Sequence, residues 1–236
     1  MFNNEILANM VLMLLCYAYV LFVIFVSSKM SASLKVSRRV SRKFLHMMIG
    51  NLPFIIPFFT MNIFPVLVAA PFILVTFLAS PYSPLKNVSR KLKGLADITE
   101  EGHQLGLVFY AVSYTILAAL FASRAYVIAA GILPMAYGDA FASIVGEKYG
   151  KRKYRVLANK SLEGSAAMFV ASFFSFAISL AFFSMPYPFS FIDKILASLA
   201  VATVATIIEG VSPMSFDNLT VPTLCTLTFL LLIGGN

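Results

Sequence analysis

The sequence predicts an all-α fold, a polytopic integral membrane bundle of about eight transmembrane helices with a polar site at its cytoplasmic face. Three observations predict it. Hydrophobic residues make up 60% of the chain and charged residues 12%, where soluble domains carry about 45–50% and about 25%. Apolar runs long enough to cross a bilayer recur along the whole chain. The basic residues are gathered into three loops, each separated from the next by a pair of such runs.

The runs fall at 6–26, 45–61, 63–80, 105–122, 125–145, 164–184, 191–208 and 217–233. The first has no basic residue before it and no small-residue cleavage site after it, so it reads as a retained span rather than a removable signal peptide. The second carries Pro53 and Pro57, which a continuous helix resists. The last is short. What remains between the runs is too little for a soluble domain, so residues 1–236 are expected to form a single membrane domain. Cys16 and Cys225 both lie inside apolar runs and suggest neither a disulfide framework nor a metal site.

A net charge of +8 would suit nucleic acid, but its distribution argues against that partner. All the lysines and arginines except Arg124 and Lys194 fall within 27–44, 81–103 and 146–160. With eight spans these loops share one side, and the excess of basic residues places them in the cytoplasm, with both termini outside. The acids follow: only Glu5 and Asp193 fall on the outer side. A transporter needs polar groups through its midplane, on a path joining both faces. Here the polar chemistry is one-sided.

Five polar constellations stand on that side. In 37–53, Lys43 and His46 are three residues apart, on one helical face with Gly50, and Arg42 adjoins them where a span begins. The loop 83–106 starts basic and ends with Glu100, Glu101 and His103, its Leu85, Val88, Leu92 and Leu95 forming an apolar side suited to an interface. In 138–151, Asp139, Ser143 and Gly146 repeat at helical spacing, followed by Lys148 and the run Lys151, Arg152, Lys153. An ionised side chain at bilayer depth costs at least about 2.5 kcal/mol, so Asp139 near the end of an apolar run calls for a function. The spacing is not that of a Walker A loop, which needs GxxxxGK followed by Ser or Thr.

The fourth constellation is Lys160, Ser161, Glu163 and Gly164, where Ser161 suits a helix N-cap and Gly164 a close approach. The fifth is Glu209, Asp217 and Asn218 around a short loop free of lysine and arginine. Carboxylates and an amide are the hard oxygen donors that magnesium takes, with water and phosphate oxygens completing its shell. No His/Cys set has zinc spacing, and no GxSxG elbow is present.

RKFLH at 42–46, GDAFASIVGEKYGK at 138–151, KSLEGS at 160–165, Glu209 and DNLTVP at 217–222 together resemble the CTP-dependent polyprenol kinase family, which includes dolichol kinases, phytol kinases and CTP-using diacylglycerol kinases. Their order and spacing cover residues 42–222, the expected catalytic core, without the long extra membrane region of the largest dolichol kinases. The resemblance implies transfer of the γ-phosphate of CTP, with Mg2+ or another divalent cation, to the hydroxyl of a membrane isoprenoid alcohol of the dolichol or polyprenol type. Phosphoryl transfer asks a protein for positioning and charge neutralisation.

Under that resemblance Arg42, Lys43, Gly146, Lys148, Lys151, Lys160, Ser161 and Gly164 would meet the nucleotide phosphates. Asp139, Glu163, Glu209, Asp217 and Asn218 are the metal candidates. Asp139 is the first candidate to accept the alcohol's proton and His46 the second, with Lys43 beside it in the catalytic set. A cytidylyltransferase acting on a lipid phosphate is the rival enzyme class, and a small lipid or solute transporter the rival outside enzymes.

Overall fold

The computed structural model describes residues 2–33, 37–87, 92, 105–213 and 215–233. Among them run α1 (Phe2–Ser33), α2 (Arg38–Ile49), α3 (Ile63–Ala79), α4 (Gly106–Phe121), α5 (Ala125–Tyr149), a hairpin of β1 (Lys153–Arg155) and β2 (Asn159–Ser161), then α6 (Leu162–Phe183), α7 (Phe191–Val211) and α8 (Asp217–Ile233). Four helices, α1, α5, α6 and α7, are long and apolar enough to cross a membrane, and α3, α4 and α8 are shorter apolar helices. The protein is a helical membrane protein, as expected. Glu100, Glu101 and His103 lie outside the described residues. Contacts gather into two compact units, Met1–Ala125 and Tyr126–Asn236.

In the first unit, the expected span 45–61 is not one helix. The chain after Ser41 forms the rest of α2, then two 3-10 turns, Leu52–Phe54 and Ile56–Phe58. Pro53 and Pro57 sit at the starts of those turns, where a missing N–H costs least. The broken segment nonetheless runs alongside the middle of α1. The Ser27 hydroxyl donates to the Ser41 carbonyl at 2.6 Å, the Tyr19 hydroxyl to the Met48 carbonyl at 2.6 Å, and the Asn9 amide to the Thr60 hydroxyl at 2.7 Å. As the chain advances from 41 to 60, its partners on α1 step back from 27 to 9, about 27 Å of helix axis at 1.5 Å per residue. Irregular backbone of this kind is tolerated at membrane depth only where protein covers it. Here α1 supplies acceptors and donors along the way.

In the second unit α5 is central. It is 78% buried over its apolar window, against 33% for α6 and 28% for α7. It is not uniform: Pro134–Gly138 form a π turn, the wider winding that recurs at functional positions. The Ser172 hydroxyl on α6 donates to the Pro134 carbonyl at 3.4 Å. The turn delivers Asp139 to the first position of the α-helix that resumes, buried at 5% exposure. Further along, Gly146 of α5 faces Gly164 of α6, and a Cβ on Gly164 would stand 3.3 Å from the Gly146 Cα. The two helices therefore meet at backbone distance, as small residues allow in membranes. The strands pair antiparallel, Lys153 with Ser161, Tyr154 with Lys160 and Arg155 with Asn159.

Candidate active site

The second unit assembles its charged groups from four elements. Lys160 sits on β2, cross-strand from Tyr154. Its ammonium forms an ion pair and hydrogen bond with the Glu209 carboxylate, near the end of α7. Burial alone would lower the Lys160 ammonium, but the charges of Glu209, Asp139 and Asp217 outweigh burial and hold it above its ordinary value of 10.5. So one lysine, 22% exposed, lies in the field of three carboxylates that are each buried. That cluster joins the sequence-predicted Asp139, Lys160, Glu209 and Asp217.

Asn218 is the neighbour of Asp217 at the start of α8. Its backbone N–H donates to the Asp217 carboxylate at 2.9 Å, and its side-chain amide donates to the same oxygen at 3.2 Å and to the Ser215 carbonyl at 3.3 Å. Ser215 takes a left-handed backbone (φ 68°), an uncommon conformation for a residue other than glycine, and this turn is what brings Asp217 round onto α8. Ser161 caps α6 as expected, its hydroxyl accepting from the Gly164 N–H at 3.1 Å.

Glu163 goes elsewhere. Its carboxylate accepts from the Arg152 N–H at 3.2 and 3.3 Å, fastening the start of the hairpin, and it is not among the charges acting on Lys160. Lys148 and Lys151 are exposed, Lys148 lying 5.2 Å from the Tyr149 ring. Lys153, by contrast, reaches back and donates to the Gly146 carbonyl at 3.2 Å.

Sequence reasoning overlooked Tyr154. Its hydroxyl shares a 2.7 Å hydrogen bond with Ser165 on α6, and a Cβ at Gly210 on α7 would stand 2.8 Å from it. Tyr154 thus fastens the hairpin to both helices, beside the residue that pairs with Lys160. A lone aromatic within a run of lysines and arginines was the available signal.

Arg42, Lys43 and His46 belong to the first unit and are all buried, at 3%, 5% and 2% exposure. Ser37 caps their helix, its hydroxyl accepting from the Val40 N–H at 3.3 Å. The His46 ring stacks on Tyr110 with centroids 4.7 Å apart, and the Tyr110 hydroxyl donates to the His46 carbonyl at 3.1 Å. Among the described residues no three His, Cys, Asp or Glu side chains form a ready metal cage. Magnesium does not need one, because it is commonly held by one or two carboxylates together with substrate phosphates.

Sequence comparison gives this geometry a context. The chain is 37% identical over 139 residues to a phytol kinase of Synechocystis sp., a match covering 57% of this chain and 58% of that one. It is 28% identical over 193 residues to a dolichol kinase of Saccharomyces cerevisiae, covering 79% of this chain and 36% of that one. These relatives indicate the polyprenol, phytol and dolichol kinase family. A probable chloroplastic phytol kinase of Triticum aestivum is a further relative, 33% identical over 148 residues, with 59% of this chain and 49% of that one matched. The chain therefore spans about half the length of the phytol kinases it matches. No family model matches the sequence, and no solved structure is similar to it.

Proposed function

We propose that this protein is a lipid kinase that transfers the γ-phosphate of CTP to the hydroxyl of a membrane isoprenoid alcohol. The observation that carries the reading is the Lys160–Glu209 pair held in the field of Asp139 and Asp217. In the reaction the alcohol oxygen forms a bond to the γ-phosphorus, the bond from that phosphorus to the β-phosphate oxygen breaks, and CDP leaves. The alcohol's proton passes to a carboxylate, for which Asp139 is the first candidate, buried at the end of the π turn. Lys160 neutralises phosphate charge, and the exposed Lys148 and Lys151 draw the nucleotide in from water.

Asp217, Asn218 and Glu209 supply the hard oxygens that suit Mg2+, and three carboxylates around one ammonium leave negative charge for a cation to balance. When bound, that ion would neutralise charge on the phosphates. The N-termini of α6 and α8 add partial positive charge to the same set of residues. The concentration of basic residues in three loops supports a cytoplasmic face for this chemistry. The names of the relatives support phytol-like or dolichol-like acceptors.

The test is an assay on the detergent-purified chain offering γ-labelled CTP, ATP, GTP and UTP, with Mg2+, against phytol, geranylgeraniol, a polyprenol, diacylglycerol and, separately, a lipid phosphate. Label moving from CTP to an isoprenoid alcohol is expected. Label found only in pyrophosphate, with a lipid phosphate as acceptor, would replace the kinase with a cytidylyltransferase.

A further inference from the structure

The hairpin that carries Lys160 has an apolar tip. Between β1 and β2 the chain turns through Val156, Leu157 and Ala158. Tight turns favour glycine, asparagine, aspartate and proline, which suit both the backbone and water. Here Val156 is 56% exposed and Leu157 65% exposed, side by side. Exposed apolar side chains on α6 and α7 are expected, because those helices are long and apolar enough to cross a membrane. The hairpin lies outside them, so its two need a different account.

Their surroundings are cationic. Arg155 directly precedes the pair, and Lys151 and Arg152 lead into the same strand, all three exposed. Lys153 turns away to the Gly146 carbonyl. The Glu163 carboxylate is engaged by the Arg152 N–H, and Glu147 belongs to the last turn of α5. The tip is also tethered at a membrane edge. α5 ends at Tyr149 and α6 begins at Leu162, with only the hairpin between them. Leu157 is separated from Leu162 by about 16 Å of chain even if fully extended, at about 3.3 Å per residue. The Tyr154 hydroxyl bonds Ser165 in the first turn of α6 and lies against Gly210 in the last turn of α7. It thereby draws the strand onto the ends of two spans.

A nucleotide would use the guanidinium groups but offers no hydrocarbon to Val156 and Leu157. A bilayer with anionic headgroups offers phosphate oxygens and hydrocarbon together. We infer that the hairpin tip docks on an anionic lipid surface, Val156 and Leu157 entering the headgroup region while Arg152 and Arg155 meet lipid phosphates. The contact involves no change of bonds. It goes beyond the kinase reading and does not depend on it.

The chain contains no tryptophan, so Leu157→Trp places a single fluorophore at the tip. The full chain carrying it is reconstituted into phosphatidylcholine vesicles with or without phosphatidylglycerol, each also prepared with acyl chains brominated near the headgroup. Emission is expected to be bluer, and bromine quenching about twofold or more stronger, in the anionic vesicles. Replacing Arg152→Gln and Arg155→Gln together in the reporter chain should abolish that difference, and CTP should leave it unchanged. Val156→Trp is a second reporter with the same expectation, should the first variant fold poorly. Water-like, unquenched emission in both vesicles would overturn the docking, as would equal quenching in both. A difference that survives loss of both arginines would remove them from it. Emission that answers to CTP and not to lipid charge would give the tip to the nucleotide instead.

Discussion

The two units handle buried polarity in opposite ways. The first draws Arg42, Lys43 and His46 from consecutive turns of one short helix. The second collects Asp139, Lys160, Glu209 and Asp217 from a π turn, a strand and two helix ends. A charge set built from one helix keeps its spacing whatever the helix packs against. A set built from four elements exists only when those elements are docked, so its members depend on one another through the fold. The difference predicts where single substitutions stay local and where they propagate.

The largest expected effect is on Asp139. Asp139→Asn keeps the shape and removes the basic oxygen, so kcat should fall by about 10²–10⁴, the usual range for losing a general base, while the melting temperature changes little. Full retention of activity would remove Asp139 from its proposed role and leave the second unit's cluster a structural one.

Next is the ion pair. Lys160→Met strands Glu209 among the other acids and should cost about 3 kcal/mol of stability. Adding Glu209→Gln should restore part of it, which thermal unfolding of the single and double variants would measure. The sign of the pH dependence follows from the raised Lys160 ammonium. Its stabilising contribution is fully present below the ordinary value of 10.5 and is lost as pH rises through its higher folded value. Alkaline unfolding that is identical in wild type and Lys160→Met would contradict the pairing.

A smaller effect tests the hairpin's fastening. Gly210→Ala drives a methyl toward the Tyr154 hydroxyl at 2.8 Å, whereas the Tyr154 ring carbons near it lie at 3.8 and 3.9 Å, an ordinary contact. The alanine should therefore destabilise by about 1–3 kcal/mol, and Tyr154→Phe in the same chain should relieve most of that. Additive losses in the double variant would mean that the hydroxyl is not what the alanine strikes.

Legibility in the sequence tracked the same division. The helical spacing of Lys43 and His46 was plain, because a period of 3.6 is a local property of the chain. Ser161 announced its cap for the same reason, since its partner is three residues away. Glu163 shows the limit. Its residue type and position suited a metal, but its carboxylate turns to the Arg152 N–H, a partner that only the folded hairpin brings near.

The sequence by itself determined that this is a helical membrane protein and that its charge is concentrated in three loops, because composition and local periodicity are properties of the chain alone; the order of its short motifs carried the resemblance to the polyprenol kinases. Only the tertiary structure decided that 45–61 is a broken segment, that Lys160 chooses Glu209, and that Tyr154 fastens the hairpin. Each of these depends on groups distant in sequence arriving at contact distance, and packing, rather than periodicity, sets where they meet.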